Sequence, residues 1–581
     1  MSAAAIPSAV AVTIRYPDHP LPGFRLNPFL TLTPMDNRRL ILLLVFSFSL
    51  VMLWDGWQKQ HQPKVEASAA ANSSAGVPTP TPSAGGSAAV PGQPVATAAP
   101  AAVLAPKATI RTDLLVAEVS ALGGDIVRLE LTQHKSSEDP ARHYVLFDNG
   151  EKHVYSAQTG LIGTGLPNHK TLFVLGAENV ALKDGEDAVT LRLDAPPTAD
   201  GVKVAKLITF HRGSYAAEVG YEITNGSGAP LAPHAYFQFT RDGQPAEQPG
   251  GFGVQTFTGP AFYSEAEKYQ KVSFEDIAAK KAKFVTKSAD GWASMVQHYF
   301  VAGWAPAEGE REFFANQVSS DLYSAGVIVP VAAIAPGQTG KVSVPLYAGP
   351  QEQSRLEKFA KGFDLVVDYG WLTIIAAPLF WALEWLHALT GNWGWAIILV
   401  TIGLKALFFP LSAASYKSMA KMKTLGPRLQ RMKEQYGDDK MKMQQAMMDL
   451  YKREKVNPLG GCLPILIQIP VFIALYWVLL GVVEMRGAPW LGWIQDLSVK
   501  DPYYILPLIM GATSLIQTRL NPAPPDPIQA KVMMMMPILF TVMFLWFPAG
   551  LVLYWVVNNT LSIAQQWQIN RMIAGGAKAA E

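Results

Sequence analysis

The sequence predicts a polytopic α-helical membrane protein of six spans, five of them forming a core, with an inserted all-β sandwich domain and a cytoplasmic helical hairpin. Only 16% of the 581 residues are charged and 49% are hydrophobic, whereas soluble domains carry about 25% charged residues. Long apolar runs lie between residues 393 and 569, and a stretch of about 240 residues before them alternates apolar and polar residues in short segments. Such runs predict membrane spans, and the alternation predicts strands.

The composition also excludes some classes of site. Cys462 is the only cysteine, so the chain can form neither an intramolecular disulfide nor a cysteine-based zinc site. The formal net charge is +2, well below the large basic excess of a typical nucleic-acid-binding protein. The charge balance by itself rules out neither class of partner. We expect no metal, no other cofactor and no direct nucleic-acid partner.

The N-terminus is predicted to carry a membrane anchor. Residues 1–34 contain six prolines and no helical pattern, so we interpret them as a disordered extension or a mis-assigned start before Met35. Within 35–57, an apolar run follows Arg38 and Arg39, a pattern that favours a cytoplasmic N-terminus. No good small-residue cleavage site follows this run closely, so we predict an uncleaved signal-anchor span rather than a signal peptide.

Residues 58–107 are predicted to be a disordered tether. Within them, the stretch 67–106 has no charged residue, and 30 of its 40 residues are Ala, Pro, Ser or Gly. Such a segment has too little bulky apolar surface to form a core.

Residues 108–350 are predicted to form a β-sandwich. The segments 189–193 and 219–224 alternate apolar and polar residues, and we interpret the following Asn225-Gly226 as a hairpin turn. The histidines of this region show no pair at ligand spacing, and we interpret its carboxylates as solvated surface charge. A sandwich could bind a sugar or a peptide edge, and the sequence does not distinguish the two.

The C-terminal part is predicted to lie in the membrane. Residues 351–390 form a connecting segment and an interfacial helix, because the apolar-rich run Trp371–Leu383 is short for a span and contains Pro378. A core follows at 391–570, and residues 571–581 form a short tail. The five predicted core spans are about 393–411, 463–483, 503–518, 532–547 and 550–569.

Loop charges predict the orientation of these spans. The loop 412–458 carries eleven basic and five acidic residues, a net charge of +6, whereas the loop 484–502 has a net charge of −1. The positive-inside rule therefore places 412–458 and both termini in the cytoplasm and the sandwich in the periplasm. Counting Trp371–Leu383 as a span would put the +6 loop outside.

The basic loop is predicted to be an antiparallel helical hairpin. Apolar residues from Met419 to Met432 recur at spacings of 3, 3, 4 and 3, and a second stripe runs from Met443 to Leu450. Seven of the chain's 19 methionines lie in this loop, as suits an adaptable contact surface, although the same residues could simply pack the two helices together. The candidate contact residues are Met419, Met422, Lys423, Arg428, Arg431 and Met447.

Lys405 is the ionisable residue inside an apolar span core. A charge in the centre of a membrane costs at least about 3 kcal/mol and marks a candidate functional site. The alternative is snorkelling, since Lys405 lies six or seven residues, roughly 10 Å, from the cytoplasmic end of its span. The spans 503–518 and 532–547 are short, and the last span becomes polar from Asn558 onwards, which predicts a thinned membrane and a water-filled cytoplasmic recess.

Several motifs of the C-terminal half form a specific combination. They are Asp368–Trp371, Gly391–Gly394, Asn457–Pro464, Gln468, Pro470, Phe472, Ala474–Tyr476, Asp501–Pro507 and Leu545–Tyr554. This combination resembles the YidC family of membrane protein insertases, densely over about 355–570, and the anchor, tether and sandwich follow the layout of its Gram-negative branch.

This resemblance implies a function and a set of site residues. A nascent transmembrane segment would enter a cytoplasm-facing hydrophilic groove, where a positive residue, usually arginine, attracts its acidic tail. Lys405 stands at that position, with Thr401, Gln468, Tyr554 and Trp555 as further groove residues, Trp555 replacing a tyrosine. A hydrophobic slide would guide the segment into lipid, and its residues are Ile469, Pro470, Phe472, Phe540 and Phe544.

The implied protein is an inner-membrane insertase and chaperone with no enzymatic activity. Its partners would be nascent membrane proteins, the lipid bilayer, and the Sec translocon with its accessory subunits. The ribosome and the signal recognition particle pathway are weaker expectations, because the tail after Ile569 has only Arg571 and Lys578 as basic residues.

Two rival functions remain at this stage. A secondary transporter or channel could use Lys405 as a substrate or ion site, although no internal repeat is apparent. A membrane-tethered envelope enzyme would place its chemistry in the sandwich instead.

Overall fold

The computed structural model describes Pro78 and residues 105–578 with several gaps. The predicted anchor and nearly all of the tether lie outside the described residues, as does most of the motif at 457–464. The gaps are 137–138, 140, 151–152, 245–255, 438, 455–462 and 522–526.

The described strands form two sheets that pack face to face as a β-sandwich. The ten-stranded sheet has the order β14-β17-β18-β11-β5-β4-β3-β2-β1-β7, and the nine-stranded sheet has the order β13-β12-β15-β16-β19-β10-β9-β8-β6. The strands are β1 (Lys107–Arg111), β2 (Leu115–Ser120), β3 (Ile126–Lys135), β4 (His143–Asn149), β5 (Val154–Ile162), β6 (Val174–Leu175), β7 (Asn179–Ala181), β8 (Ala188–Asp194), β9 (Lys203–His211), β10 (Ala216–Thr224), β11 (His234–Asp242), β12 (Gly259–Ser264), β13 (Lys268–Lys271), β14 (Lys287–Ser288), β15 (Trp292–Val296), β16 (Phe300–Trp304), β17 (Arg311–Ser319), β18 (Leu322–Pro330) and β19 (Thr339–Pro350).

Aromatic side chains fill the space between the sheets. Phe237 and Phe239 of β11 lie 5.2 and 5.7 Å from Trp304 of β16, measured between ring centroids. The alternation predicted at 189–193 is confirmed, because β8 buries every second side chain. Val219, Tyr221 and Ile223 are likewise buried in this core.

The hairpin predicted at Asn225-Gly226 is wrong. Strand β10 pairs with β9 and β19, while the next strand, β11, belongs to the other sheet. The chain therefore crosses between sheets after residue 224 instead of turning back. Asn225 is buried, and its amide donates hydrogen bonds to the carbonyls of Ala229 and Ile334, so its role is to hold the crossing loop.

A buried acid and a buried base lie near each other in the sandwich. Asp125 accepts a hydrogen bond from the Gln158 amide at 2.9 Å, and the Lys206 ammonium donates to the Gly123 carbonyl at 3.0 Å. Burial raises the pKa of Asp125 and lowers the pKa of Lys206, while each charge partly offsets the shift of the other. Each group therefore reduces the cost of burying its neighbour.

Helices dominate the chain after residue 350. A five-residue helix α1 (Phe274–Ala278) lies within the sandwich. The others are α2 (Gln353–Phe359), α3 (Thr373–Thr390), α4 (Trp393–Leu407), α5 (Phe409–Thr424), α6 (Gly426–Tyr436), α7 (Lys440–Arg453), α8 (Leu463–Gly481), α9 (Ile505–Leu520), α10 (Pro527–Phe544) and α11 (Ala549–Lys578), with short 3₁₀ turns at Phe363–Val366, Gly370–Leu372 and Val483–Met485.

The largest difference between the helices and the predicted spans is a break in the first core span. The span predicted at 393–411 is broken at Phe408, where α4 and α5 meet at 64°. Pro410 lies in the first turn of α5, a position that tolerates proline in a new helix but not within a continuing one. The apolar run 393–411 therefore belongs to two helices.

Length and composition alone give a smaller number of candidate spans than the sequence predicted. Among the described helices, α3 could cross a membrane by itself, and α4 with α5 could do so as a bent pair. The sequence places α3 in the interface instead, so its location and the count of six spans stay predictions. Helices α8, α9 and α10 contain shorter apolar stretches.

The sandwich contacts the helical region at the C-terminal end of α8. His298 Nε2 lies 3.0 Å from the Leu480 carbonyl oxygen, and its Nδ1 lies 2.6 Å from Thr256 Oγ1. Just after α8, the Arg486 guanidinium lies 5.3 Å from the centre of the Tyr144 ring. A free carbonyl at the end of α8 is therefore capped by the sandwich, which fixes that end of the helix.

Two polar residues organise the loops around the core helices. Asp501 is buried and accepts hydrogen bonds from the amides of Tyr503 and Leu506, at the start of α9. Asn392 accepts from the Trp395 amide and so caps α4. Both lie in motifs that carried the family resemblance, and here their role is structural.

We expect the two substitutions of the buried pair to destabilise the sandwich non-additively. Asp125→Asn or Lys206→Met should each cost about 3 kcal/mol or more, because each leaves a buried charge unopposed. Hydrogen exchange of β5 and β9 amides in the full-length chain measures this cost. The double variant should lose less than the sum of the single losses, and simple additivity would contradict the pairing.

The loss in Lys206→Met should also depend on pH. Burial raises the pKa of Asp125 above its ordinary value of 3.8, so the folded state favours the neutral carboxyl group. The stabilising contribution of that group is present below about pH 4 and is lost as pH rises through the folded-state pKa. The variant should therefore be less stable at pH 8 than at pH 5, relative to the wild type.

Candidate functional site

Lys405 lies near the C-terminal end of α4 with its side chain turned into the helical core. The residue is 9% exposed, and its ammonium donates a hydrogen bond to Ser562 Oγ of α11 at 2.7 Å. Within the described part of the chain, no carboxylate forms an ion pair with this ammonium. The structure thus buries a positive charge against a hydroxyl rather than against an opposite charge.

The Lys405 ammonium faces a small recess between α4, α5, α8 and α11. Its open interior is about 20 Å³, enough for about one water molecule. Thr401 and Tyr554, both predicted groove residues, lie in its wall, as does Gln468. The lining residues are Thr401, Leu404, Lys405, Phe408, Leu411, Ser412, Gln468, Val471, Tyr554 and Asn558.

The polar face of α11 holds the recess together. Asn558 Oδ1 accepts a hydrogen bond from the Gln468 amide of α8 at 2.5 Å. One residue later, the Asn559 amide donates to Ser514 Oγ of α9 at 2.8 Å. The sequence predicted this polar half of the last span, and the structure shows that much of it bonds to neighbouring helices rather than to open water.

The remaining groove residues divide between two environments. Thr401 is buried, and its hydroxyl donates to the Ile397 carbonyl of its own helix at 2.6 Å. Its side chain therefore lines the recess, but its hydroxyl hydrogen is already used. Tyr554 reaches the recess. Trp555 instead packs against Phe472 and Phe544, with centroids 4.9 and 5.8 Å apart.

The predicted slide residues are exposed only in part. Ile469 and Phe540 are 44% and 42% exposed, and Pro470 and Phe472 are half-buried. Phe544 is buried against Phe547 and Trp555. Of the five predicted slide residues, Ile469 of α8 and Phe540 of α10 are thus the exposed ones, and further apolar residues of α10, such as Ile538 and Leu539, are exposed as well.

The segment predicted as a contact hairpin contains three helices, the C-terminal part of α5 followed by α6 and α7. Met422 of α5, Leu429 of α6 and Met447 of α7 pack around a small buried cluster of Leu425 and Tyr451. This arrangement favours the packing interpretation for Met422 and Met447, since both contact the cluster.

The polar residues of this segment lie at its surface. Arg428 is ion-paired with Glu454 at 2.5 Å, and Arg431 is exposed. Met419 is half-buried on α5, and the side chain of Lys423 lies outside the described part. A break at Leu425, followed by Gly426-Pro427, separates α5 from α6, so the methionine stripe spans two helices.

Sequence reasoning missed Ser412 and the individual roles of Asn558 and Ser562. Ser412 follows the bend at Phe408, and no spacing pattern marked it. Asn558 and Ser562 were noticed only as part of a polar half-span. Their spacing of four residues places them on one face of α11, a signal that could have paired them with a buried lysine.

Both halves of the chain match known family models. Residues 107–382 match the model described as the YidC periplasmic domain, and residues 385–576 match the model described as the 60Kd inner membrane protein. Among the described residues, no cluster of three His, Cys, Asp or Glu side chains could hold a metal ion.

Similar curated proteins cover nearly the whole chain. The Membrane protein insertase YidC of Aromatoleum aromaticum is 67% identical over 94% of this chain and 100% of its own length. The protein of the same name from Dechloromonas aromatica is 59% identical over 94% of this chain and 99% of its own. A solved structure of an active YidC insertase aligns over 79% of this chain and 94% of its own, with 18% identity and a TM-score of 0.39.

A cysteine-accessibility experiment tests whether the recess is wet. In a Cys462→Ser background, Ser412→Cys should react with Ag⁺, a water-soluble thiol reagent small enough for the recess, in native membranes, because a thiol ionises only where water reaches it. The matched control is Ile402→Cys, at a position of α4 that is 43% exposed outside the recess. We expect lipid to protect residue 402, so equal reaction rates at the two positions would contradict a polar recess.

Proposed function

Because this chain belongs to the YidC family of membrane protein insertases, we propose that the recess around Lys405 receives an acidic group of an incoming transmembrane segment. The family is an inner-membrane family with a periplasmic domain, as the two matched models describe. The curated relatives cover nearly the whole chain and are insertases by name. A transporter or channel function is not supported.

The observation that carries the proposal is the buried ammonium without a counter-charge. Burying it costs about 3 kcal/mol, and the single bond to Ser562 returns only part of that cost. A carboxylate entering the recess would add charge-assisted hydrogen bonds of about 1.5–3 kcal/mol each. A carboxylate of the substrate would therefore stabilise the Lys405 ammonium more than a water molecule in the recess does.

The size of the recess limits what can enter. An interior of about 20 Å³ suits one small polar group and is far too small for a helix. We infer that a side-chain carboxylate of the substrate enters first while the apolar segment stays outside, against Ile469 and Phe540. Polar donors that could meet the carboxylate are the Lys405 ammonium and the Gln468 amide.

Exit into the bilayer needs no nucleotide or metal. A transmembrane segment of about 20 apolar residues gains free energy when it leaves water for lipid, at about 0.8 kcal/mol for each buried CH₂ group. The contact with Lys405 has to be weak enough to release the acidic tail outward. A lysine suits this role, because it makes point-charge contacts rather than the bidentate contacts of arginine.

The proposed topology follows the loop charges. Six spans would leave both termini and the helices α6 and α7 in the cytoplasm, with α3 lying in the periplasmic interface. The capping of Leu480 by His298 supports this orientation, since it joins the sandwich to the end of α8 opposite the basic loop.

The proposed partners are nascent membrane proteins first, then the Sec translocon with its accessory subunits, the ribosome and the signal recognition particle pathway. The hairpin of α6 and α7 offers the surface for a cytoplasmic partner, because Met441 and Met448 are exposed at 72% and 44%. Methionine at an exposed helix surface suits partners of varied shape.

Insertion by purified protein tests the role of the charge. Proteoliposomes holding only this chain should insert a short single-span protein with an acidic external tail. Lys405→Ala should lower the insertion rate by about tenfold to a hundredfold, the equivalent of a charge-assisted hydrogen bond. Lys405→Arg should retain activity because it keeps the charge.

The matched control is Lys531→Ala, which removes an exposed lysine from α10 and should leave insertion unchanged. Equal insertion by wild type, Lys405→Ala and Lys405→Arg would mean that Lys405 only snorkels. Insertion that occurs only after the Sec translocon is added would contradict autonomous activity.

A further inference from the structure

The Ser562 hydroxyl has three partners, the Asn558 carbonyl, the Lys405 ammonium and the Tyr416 phenol of α5. The Ser562 hydroxyl donates to the Asn558 carbonyl, one turn earlier on α11, at 2.7 Å. The hydroxyl has one hydrogen, so the oxygen meets the Lys405 ammonium with its lone pairs, also at 2.7 Å. Ser562 is 2% exposed, and water is therefore a poor substitute for it.

This bond opposes the ordinary behaviour of a lysine in a membrane. The Lys405 stem is long enough to carry the ammonium part of the way to the cytoplasmic surface, which lies roughly 10 Å away. The free energy of the hydrogen bond to Ser562 is similar to the conformational free energy that the lysine stem loses when it is held in one rotamer. Removing the hydroxyl should therefore let the ammonium move outward.

We propose that Ser562 is a positioning residue that sets the depth of the Lys405 ammonium and thereby the preference for substrates with an acidic group. This inference rests on the proposed function of the recess. An ammonium that has moved toward water would attract an acidic tail less, because its charge is better solvated there. Substrates without an acidic residue would not be affected.

The first measurement reports the position of the ammonium directly, without insertion. The full-length chain in proteoliposomes is treated with a water-soluble N-hydroxysuccinimide ester, and acetylation of Lys405 is followed by mass spectrometry. In Ser562→Ala the Lys405 rate should rise by about tenfold, while the rate at exposed Lys531 should not change. An unchanged rate at Lys405 would overturn the inference.

The second measurement compares two single-span substrates that differ only in the external tail. One tail carries Asp and Glu, and the other carries Asn and Gln at the same positions. Ser562→Ala should slow insertion of the acidic-tail substrate by about tenfold and leave the Asn/Gln-tail substrate at the wild-type rate. Ser562→Thr keeps the hydroxyl and should rescue the acidic-tail substrate. An equal loss for both tails would overturn the inference, because it would reveal a structural role.

A matched control is available on the same helix. The Thr560 hydroxyl makes the same bond to the carbonyl four residues earlier, that of Val556, at 2.7 Å, but Thr560 is exposed. Thr560→Ala should change neither labelling nor insertion.

The two proposals fail in different ways. If Lys405→Ala abolishes the preference for acidic tails and Ser562→Ala does not, the positioning role is wrong and the recess function stands. If Ser562→Ala increases labelling of Lys405 without changing insertion, the positioning of the ammonium holds, but its link to substrate preference and the proposed function are both wrong.

Discussion

The arrangement of the helical half depends on one energetically unfavourable feature, a lysine ammonium buried beside a serine hydroxyl. Two helices around Lys405, α4 and α11, hold the ammonium in the interior without providing an opposite charge. Helix α4 ends and bends just after it, and α11 brings a polar face opposite to it. A nearby carboxylate would stabilise the lysine more but would also occupy the place that the proposed function assigns to the substrate's acidic group. The absence of such a partner among the described residues is therefore the feature on which the proposed function depends.

Helix α11 connects the other helices of the site through hydrogen bonds. Its polar residues reach α4, α8 and α9 in turn, through Ser562, Asn558 and Asn559. Interhelical hydrogen bonds of this kind hold helices together in lipid, where apolar burial between helices gives little advantage. The aromatic cluster of Phe472, Phe544 and Trp555 forms the apolar counterpart on the neighbouring face. The polar recess and the apolar surface are thus adjacent, so the proposed function can place an acidic group in the recess while the apolar segment lies on the surface.

Sequence reasoning predicted the architecture better than the contacts. Alternation of apolar residues fixed the strands at 189–193 because a buried face demands it. The Asn225-Gly226 prediction failed because that signal is local, whereas the crossing between sheets depends on partners more than a hundred residues away. The sequence analysis did not predict the bend at Phe408, because hydropathy depends on composition and not on the direction of the chain. Lys405 was found as a charge in an apolar run, but Ser562 could be recognised only once α11 had been placed against α4.

A charge exchange tests the central claim most directly. The full-length chain carrying Lys405→Glu would be reconstituted without a membrane potential and given two versions of a single-span substrate, one with an acidic tail and one with a basic tail. If the recess recognises charge, this variant should insert the basic-tail substrate and lose the acidic one, the reverse of the wild-type preference. If the variant keeps the wild-type preference, or loses both substrates equally, the charge of the recess does not select the substrate and the account is wrong.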